Sequence, residues 1–455
     1  MPGSSSTTGS GETGPSVIRN ARIIDGSGRP PLERHAIFIE SGNITGVLPE
    51  SDSLEFGPRH YDASGKTVIP GLIDMHAHLI SGGFDTVVDV GASYEVNDQK
   101  RVLRQMLYWG VVGCHFSVQP MDNGLWLREA AASGEIEAPR LYISGPGVTA
   151  PAGWAGSNLS DARLELDDPD DAPAAIEKLA GYGVDFVKVF YDSMCCAFHQ
   201  AMPMLRKDVL ERVIAEAHRH GLPVAVHVYE LEGHRDVLRA GGDILYHSAV
   251  TGSIDEDYLE AMRANGSLYV ATLSIYNDTY EPEAIRAWAD SPWVRESVPK
   301  ATLDSLGPGG PLDEFDAFTR RDNIARQLPT IMANMKTIHD AGIPFAAGPD
   351  TGVPGVFPGL SVHREMELMV AAGVPELAAI SAATSRAATF AGEPALGSLA
   401  PGKSADLLIL SEDPLADIRA TRSIECVIKQ GKTIDRERLR SEIFAAECAA
   451  EGHPC

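Results

Sequence analysis

Thr67-Val68-Ile69-Pro70-Gly71-Leu72-Ile73-Asp74-Met75-His76-Ala77-His78 is an apolar run that ends in two histidines one residue apart. Alternate side chains of a strand point the same way. A strand over Leu72–His76 would therefore present His76 and His78 on one side of its end. Neutral imidazole is a common ligand for zinc-like ions. A lone His-x-His pair also arises by chance. This one follows a buried-looking strand, and Lys188, His227, His247 and Asp350 come after it in order. The pattern reads as that of a metal-dependent hydrolase.

Downstream, short apolar strands alternate with longer helical patterns. The strand candidates are Leu72–His76, Gly113–Val118, Arg140–Ser144, Asp185–Phe190, Pro223–Val228, Asp243–His247, Ser267–Ala271 and Pro344–Gly348. The segment Lys207–His218 typifies the helices between them. Eight such units indicate a parallel (β/α)8 barrel, a TIM-type fold, over residues 71–393. An open doubly wound sheet is the rival, but no Gly-rich phosphate turn follows the first strand. Residues 16–70 and 394–434 are β-rich at both ends of the chain and are expected to pair into one small β-sandwich domain. A C-terminal helix and tail are expected over 435–455, and a disordered tail over 1–15. The connection from about 274 to 342 carries Pro282, Pro292, Pro308 and a Gly307–Gly310 cluster. A segment of that length suits a lid or an oligomer contact.

The bulk composition fits an enzyme. A chain of 455 residues with 44% hydrophobic residues can bury a large core. A net charge of −25 argues against a nucleic-acid or anionic-membrane partner, and solubility is the plainer meaning of that charge. No stretch of 18 apolar residues is present, so no transmembrane helix is expected. The N-terminal stretch lacks the apolar centre of a secretory signal. The six cysteines show no Cys-x-x-Cys spacing, and reduced thiols in a cytoplasm are expected.

In a (β/α)8 enzyme the chemistry sits at the C-terminal ends of the strands. His76, His78, Lys188, His227, His247 and Asp350 would converge there. Imidazole and carboxylate suit zinc, manganese or iron. A free ammonium repels metal, so Lys188 could serve only after carbamylation by carbon dioxide. Each residue also has a plainer reading. Lys188 could snorkel to water or pair with a carboxylate, His247 could be a satisfied core histidine, and Asp350 could merely form a turn before Thr351-Gly352.

The stretches Val68–His78, Gly183–Val189, Ala225–His227, Ala240–His247, Ala347–Asp350 and Gly397–Leu410 together resemble the amidohydrolase superfamily. The likeness is to its branch of metal-dependent prolidases and imidazolonepropionase, over about residues 16–434. It implies that His76, His78 and Asp350 bind one divalent ion and that His227 and His247 bind a second, with carboxylated Lys188 bridging them. It also implies that Asp350 moves the proton of the attacking water to the leaving nitrogen, and that Tyr229 contacts the substrate. Relatives are commonly homo-oligomers. The expected substrate is a small amide or a dipeptide.

The main alternative is a mononuclear deaminase of the same superfamily, with Glu230 of His227-Val228-Tyr229-Glu230 as proton shuttle. Lys188 argues against it. A scaffold without chemistry is a third reading, opposed by ligand-type residues at every position. Trp126, Trp154, Tyr191, Phe198, Tyr276 and Phe357 in the loops hint at an apolar or aromatic amide. Arg128, Arg140 and Arg206 are the cations weighed as partners for a substrate carboxylate. His115 and Tyr191 are further guesses for the pocket, and Cys195-Cys196 for its wall.

Overall fold

A computed structural model describes residues 14, 16–51, 59–79, 96–154, 160–280, 282–304 and 319–451. The tail expected over 1–15 and the Gly307–Gly310 cluster lie outside these residues, Gly14 excepted.

The first strands are β1 (Val17–Ile23), β2 (Leu32–Glu40), β3 (Asn43–Pro49), β4 (His60–Asp62) and β5 (Thr67–Pro70). β5 leads directly into the central part of the chain, because β6 (Leu72–Ala77) begins after Gly71 alone. A side chain at that glycine would lie 2.6 Å from a methyl of Val112, so the crossing is possible only without one. The junction explains why one short apolar run serves both parts of the fold.

Parallel strands follow: β7 (Val111–Phe116), β8 (Arg140–Ile143), β9 (Gly147–Thr149), β10 (Arg163–Glu165), β11 (Val187–Phe190), β12 (Val224–His227), β13 (Ile244–Tyr246) and β14 (Leu268–Val270). They form two sheets, β6-β7-β8 and β10-β9-β11-β12-β13-β14. Seven of the eight anticipated strands are present. The third, Arg140–Ser144, appears as β8 and pairs with β7. Beyond Ser144-Gly145-Pro146, where proline offers no N–H to a ladder, the additional strand β9 pairs with β11 through Val148 and Val189.

The eighth, Pro344–Gly348, forms no ladder. Pro344 and Pro349 remove donors at both of its ends. A few bonds remain: Tyr269 N–H to Pro344 O at 3.0 Å and Ala346 N–H to Tyr269 O at 3.1 Å on one side, and Met75 N–H to Ala347 O at 3.0 Å on the other. The expected barrel is therefore a TIM-barrel-like arrangement of two parallel sheets with isolated links, and no ladder among the described residues closes on itself. Helices such as Val96–Tyr108, Lys207–Arg219, Leu231–Ala240 and Glu256–Asn265 separate the strands. Ile73, Met75, Val112, Phe186, Ala225, Ile244, Tyr246, Leu268, Val270 and Ala346 gather into one apolar cluster drawn from successive strands. This is the packing of a filled interior.

The chain then returns to its start. β15 (Leu407–Leu410) pairs antiparallel with β5, and β16 (Ile424–Lys429) and β17 (Lys432–Thr433) extend the sheet. Both ends share one eight-stranded mixed sheet ordered β17-β16-β15-β5-β1-β2-β3, with β4 on β1. The anticipated sandwich needs two sheets. Here β5 pairs with β1 on one side and β15 on the other, so the ladder runs on unbroken. The terminal helix Arg436–Glu451 buries Leu439 and Ile443. No helix among the described residues is long and apolar enough to cross a membrane.

Candidate metal centre

His76 sits in β6, and His78 follows one residue after its end. Lys188 lies in β11, His227 closes β12, and His247 comes one residue after β13. Asp350 follows the extended segment and is held beside β6 by the Thr351 N–H bond to His76 O, 3.1 Å. All six side chains are buried and line one cavity. The strands of a parallel sheet end together, which is why residues up to 274 positions apart meet (76 to 350).

The donor atoms converge. Asp350 Oδ1 lies 3.4 Å from His76 Nε2 and 3.2 Å from His78 Nε2. Neighbouring ligands of a tetrahedral ion with bonds near 2.1 Å stand about 3.4 Å apart. Atoms offered by His76, His247 and Asp350 all lie within 4.8 Å of one another. Asp350 Oδ1 and His247 Nε2 are buried without a hydrogen-bond partner. Unsatisfied ligand-type atoms gathered in one buried place fit a cation. Lys188 Nζ lies 3.0 Å from His76 Nε2. His227 Nε2 contacts Met194 Sδ at 3.2 Å.

Burial keeps three of the imidazoles neutral. Burial, and then the nearby Lys188 ammonium, hold the imidazoles of His76 and His227 well below their ordinary range. His247 is depressed by burial and then by His227. Burial also lowers Lys188 to about 7, with Asp350 opposing the shift. An amine with that pKa is about half uncharged at neutral pH, and the uncharged form is the one that attacks carbon dioxide.

Residues that sequence reasoning did not single out hold the ligands in place. Thr272 Oγ1 meets His247 Nδ1 at 2.9 Å, leaving Nε2 for the cavity. Asp74, fully buried, accepts from His76 N–H at 3.0 Å and from the Thr351 hydroxyl at 2.7 Å. Asp192 accepts from the backbone of Met194 and Tyr229 and stands 4.0 Å from His227 Nε2. Burial pushes both carboxyls up to about 7. No local pattern marks these three positions. Only the left-handed backbone at Met194, His247, Thr272 and Asp350, with φ of 55°, 79°, 51° and 69°, betrays local strain. Strain of this kind collects at functional sites.

Other expectations fare variously. Tyr229 lines the cavity, its ring 4.7 Å from that of His247. Trp154 and Phe198 line it too, whereas Trp126, Tyr191, Tyr276 and Phe357 do not. His115 is stacked on Phe186 and bonded to the Tyr246 hydroxyl at 3.3 Å, away from the cavity lining. Tyr191 donates to Asp236. Cys195 donates to Glu230 at 2.7 Å, and neither residue lines the cavity, nor does Cys196. Arg128, Arg140 and Arg206 pair with Asp185, Asp406 and Asp208.

A profile of the amidohydrolase family matches residues 67–434. The chain belongs to the amidohydrolase family. Its members are metal-dependent hydrolases that act on carbon–nitrogen bonds, and this chain is such a hydrolase. It is 27% identical to the imidazolonepropionase of Geobacillus kaustophilus, over 92% of this chain and 98% of that one. It is 25% identical to the ochratoxinase of Aspergillus niger, over 91% and 86%. Among solved structures, a Xaa-Pro dipeptidase with methionine bound in its active site shares the fold, with a TM-score of 0.72 at 24% identity, over 92% of this chain and 99% of that one.

Proposed function

We propose that this amidohydrolase is a binuclear enzyme that hydrolyses an amide or peptide-like bond, with His76, His78 and Asp350 holding one divalent ion, His227 and His247 the other, and carboxylated Lys188 between them. The observation that carries the reading is the buried Lys188 amine, 3.0 Å from His76 Nε2 and lining the same cavity as all four imidazoles. A lysine there has no use to a metal unless it is turned into a carboxylate. Zinc is the ion favoured by this donor set, with manganese or iron as substitutes. Such ions, when bound, lower the pKa of water and polarise a carbonyl.

The chain supplies the rest. Asp350 Oδ1 faces both His76 and His78, so it can take a proton from the attacking water and deliver it to the leaving nitrogen. Burial raises the Tyr229 phenol well above its ordinary range, so it stays protonated and can donate to the substrate's carbonyl oxygen. Trp154, Phe190, Phe198, Ile275, Tyr280 and Val353 wall the cavity, and Lys188 is the sole Lys or Arg among its described lining residues. The stretches 80–95, 155–159 and 305–318 contain no Lys or Arg either. These features favour an uncharged N-acyl or aromatic amide over a dipeptide whose free carboxylate needs a cation. The deaminase reading is disfavoured because Glu230 bonds to Cys195 outside the cavity lining.

The test is a panel of N-aroyl amides and Xaa-Pro dipeptides offered to zinc-loaded protein, with and without chelator. Amine release from the aromatic amides, lost with chelator and restored by zinc, is the expected result. Full activity of a Lys188→Met protein would contradict the proposal.

A further inference from the structure

A second cavity lies beside the start of the segment that leads to Asp350. It has a volume of about 460 Å3 and is lined by His339, Pro344, Phe345, Arg386, Thr389 and Phe390, among others. His339 is in the last turn of the helix Arg321–Asp340, and Arg386 is in the short helix Ser385–Phe390. Phe345 is the residue that bridges to Tyr269 of β14.

The cavity has an unusual lining for so acidic a protein. The Arg386 guanidinium lies 4.5 Å from the centroid of the Phe345 ring, so one face is packed against an aromatic surface. It is half-buried, yet no carboxylate pairs with it among the described residues. Burial alone accounts for the lowering of its pKa, with no acidic neighbour opposing it. The chain carries 63 Asp and Glu against 38 Lys and Arg, so a guanidinium left without a counter-ion is not explained by a shortage of acids. A partly desolvated cation without a partner is costly. The His339 ring packs edge-on against the same phenyl group, with centroids 5.9 Å apart. The nearest acid on that helix, Asp340, is taken by Lys336.

We propose that this cavity is a binding site for a small planar anion, of the aromatic carboxylate class, held by the Arg386 fork and flanked by the Phe345 and Phe390 rings. Guanidinium matches a carboxylate through two parallel hydrogen bonds. An aromatic body would cover the apolar remainder of the lining. The site is separate from the metal-binding cavity, and none of its lining residues is shared with it. The inference stands whether or not the proposed amide chemistry is right.

The probe is benzoate, with benzamide as its uncharged counterpart, titrated into the full-length, metal-loaded protein by calorimetry and soaked into crystals. The expected result is benzoate against Arg386 in the second cavity, with benzamide binding at least tenfold more weakly. Arg386→Met keeps the stem that packs on Phe345 and should lose this site while kcat and KM are unchanged. Arg386→Lys keeps the charge without the fork and should bind with intermediate affinity, which separates loss of the site from a failure to fold. Benzoate found only at the metals, or equal binding by wild type and Arg386→Met, would overturn the proposal.

Discussion

Glu365 is fully buried, and its carboxylate accepts three hydrogen bonds of 2.8 Å, from Leu273 N–H, Ser274 N–H and the Ser274 hydroxyl. It clamps the turn that follows Thr272, the partner of His247. Burial nevertheless wins over these bonds and raises the carboxyl from an ordinary 4.5 to about 7. The folded state therefore binds this proton more tightly than the unfolded state. Stability from this group is fully present below pH about 4.5 and falls as pH rises toward 7, by about 3 kcal/mol in total. Glu365→Gln removes the titration. It also turns one acceptor into a donor, leaving a backbone N–H orphaned at about 1–3 kcal/mol. The variant should therefore be clearly less stable than wild type at pH 5 and close to it at pH 8. The assay is urea unfolding of chelator-treated proteins at pH 5, 6, 7 and 8, read as the difference between the two. The difference should shrink by about 3 kcal/mol across the range. Parallel curves, or a difference that grows with pH, would refute the reasoning.

Asp350→Asn keeps the shape but cannot take a proton, so kcat should fall by about 10²–10⁴-fold in steady-state assays. Retained turnover with metals still bound would remove Asp350 from the proton path. Tyr229→Phe deletes one donor worth about 1–3 kcal/mol, and kcat/KM should drop about fivefold or more with metal content unchanged. Gly352 has φ of +108°, and a side chain there would lie 2.6 Å from His78 O. Gly352→Ala should cost about 1–3 kcal/mol of stability and loosen metal retention, measured by unfolding and elemental analysis.

Strands with continuous apolar character were legible in the sequence, from Leu72–Ala77 to Leu268–Val270. So were the residues at their ends, because period-two alternation fixes which side chains share a face. The segment Pro344–Gly348 reads as a strand by composition, yet its flanking prolines deny it a ladder. The strand β9 beyond Gly145-Pro146 was not legible because it is only 3 residues long. Asp74, Asp192, Thr272 and Glu365 escaped because their partners are backbone groups and side chains brought near by the fold alone. Glu365 meets residues 91 and 92 positions away. Pocket guesses based on aromatic character alone, such as Tyr191 and His115, failed where a neighbouring acid or ring captured the side chain.

The central claim is best tested by counting metal ions per chain in zinc-loaded protein together with a high-resolution structure of the Lys188 side chain. The account predicts two ions per chain with a carboxylated Lys188 between them, and loss of at least one ion in Lys188→Ala. A single ion beside a free Lys188 amine would contradict it.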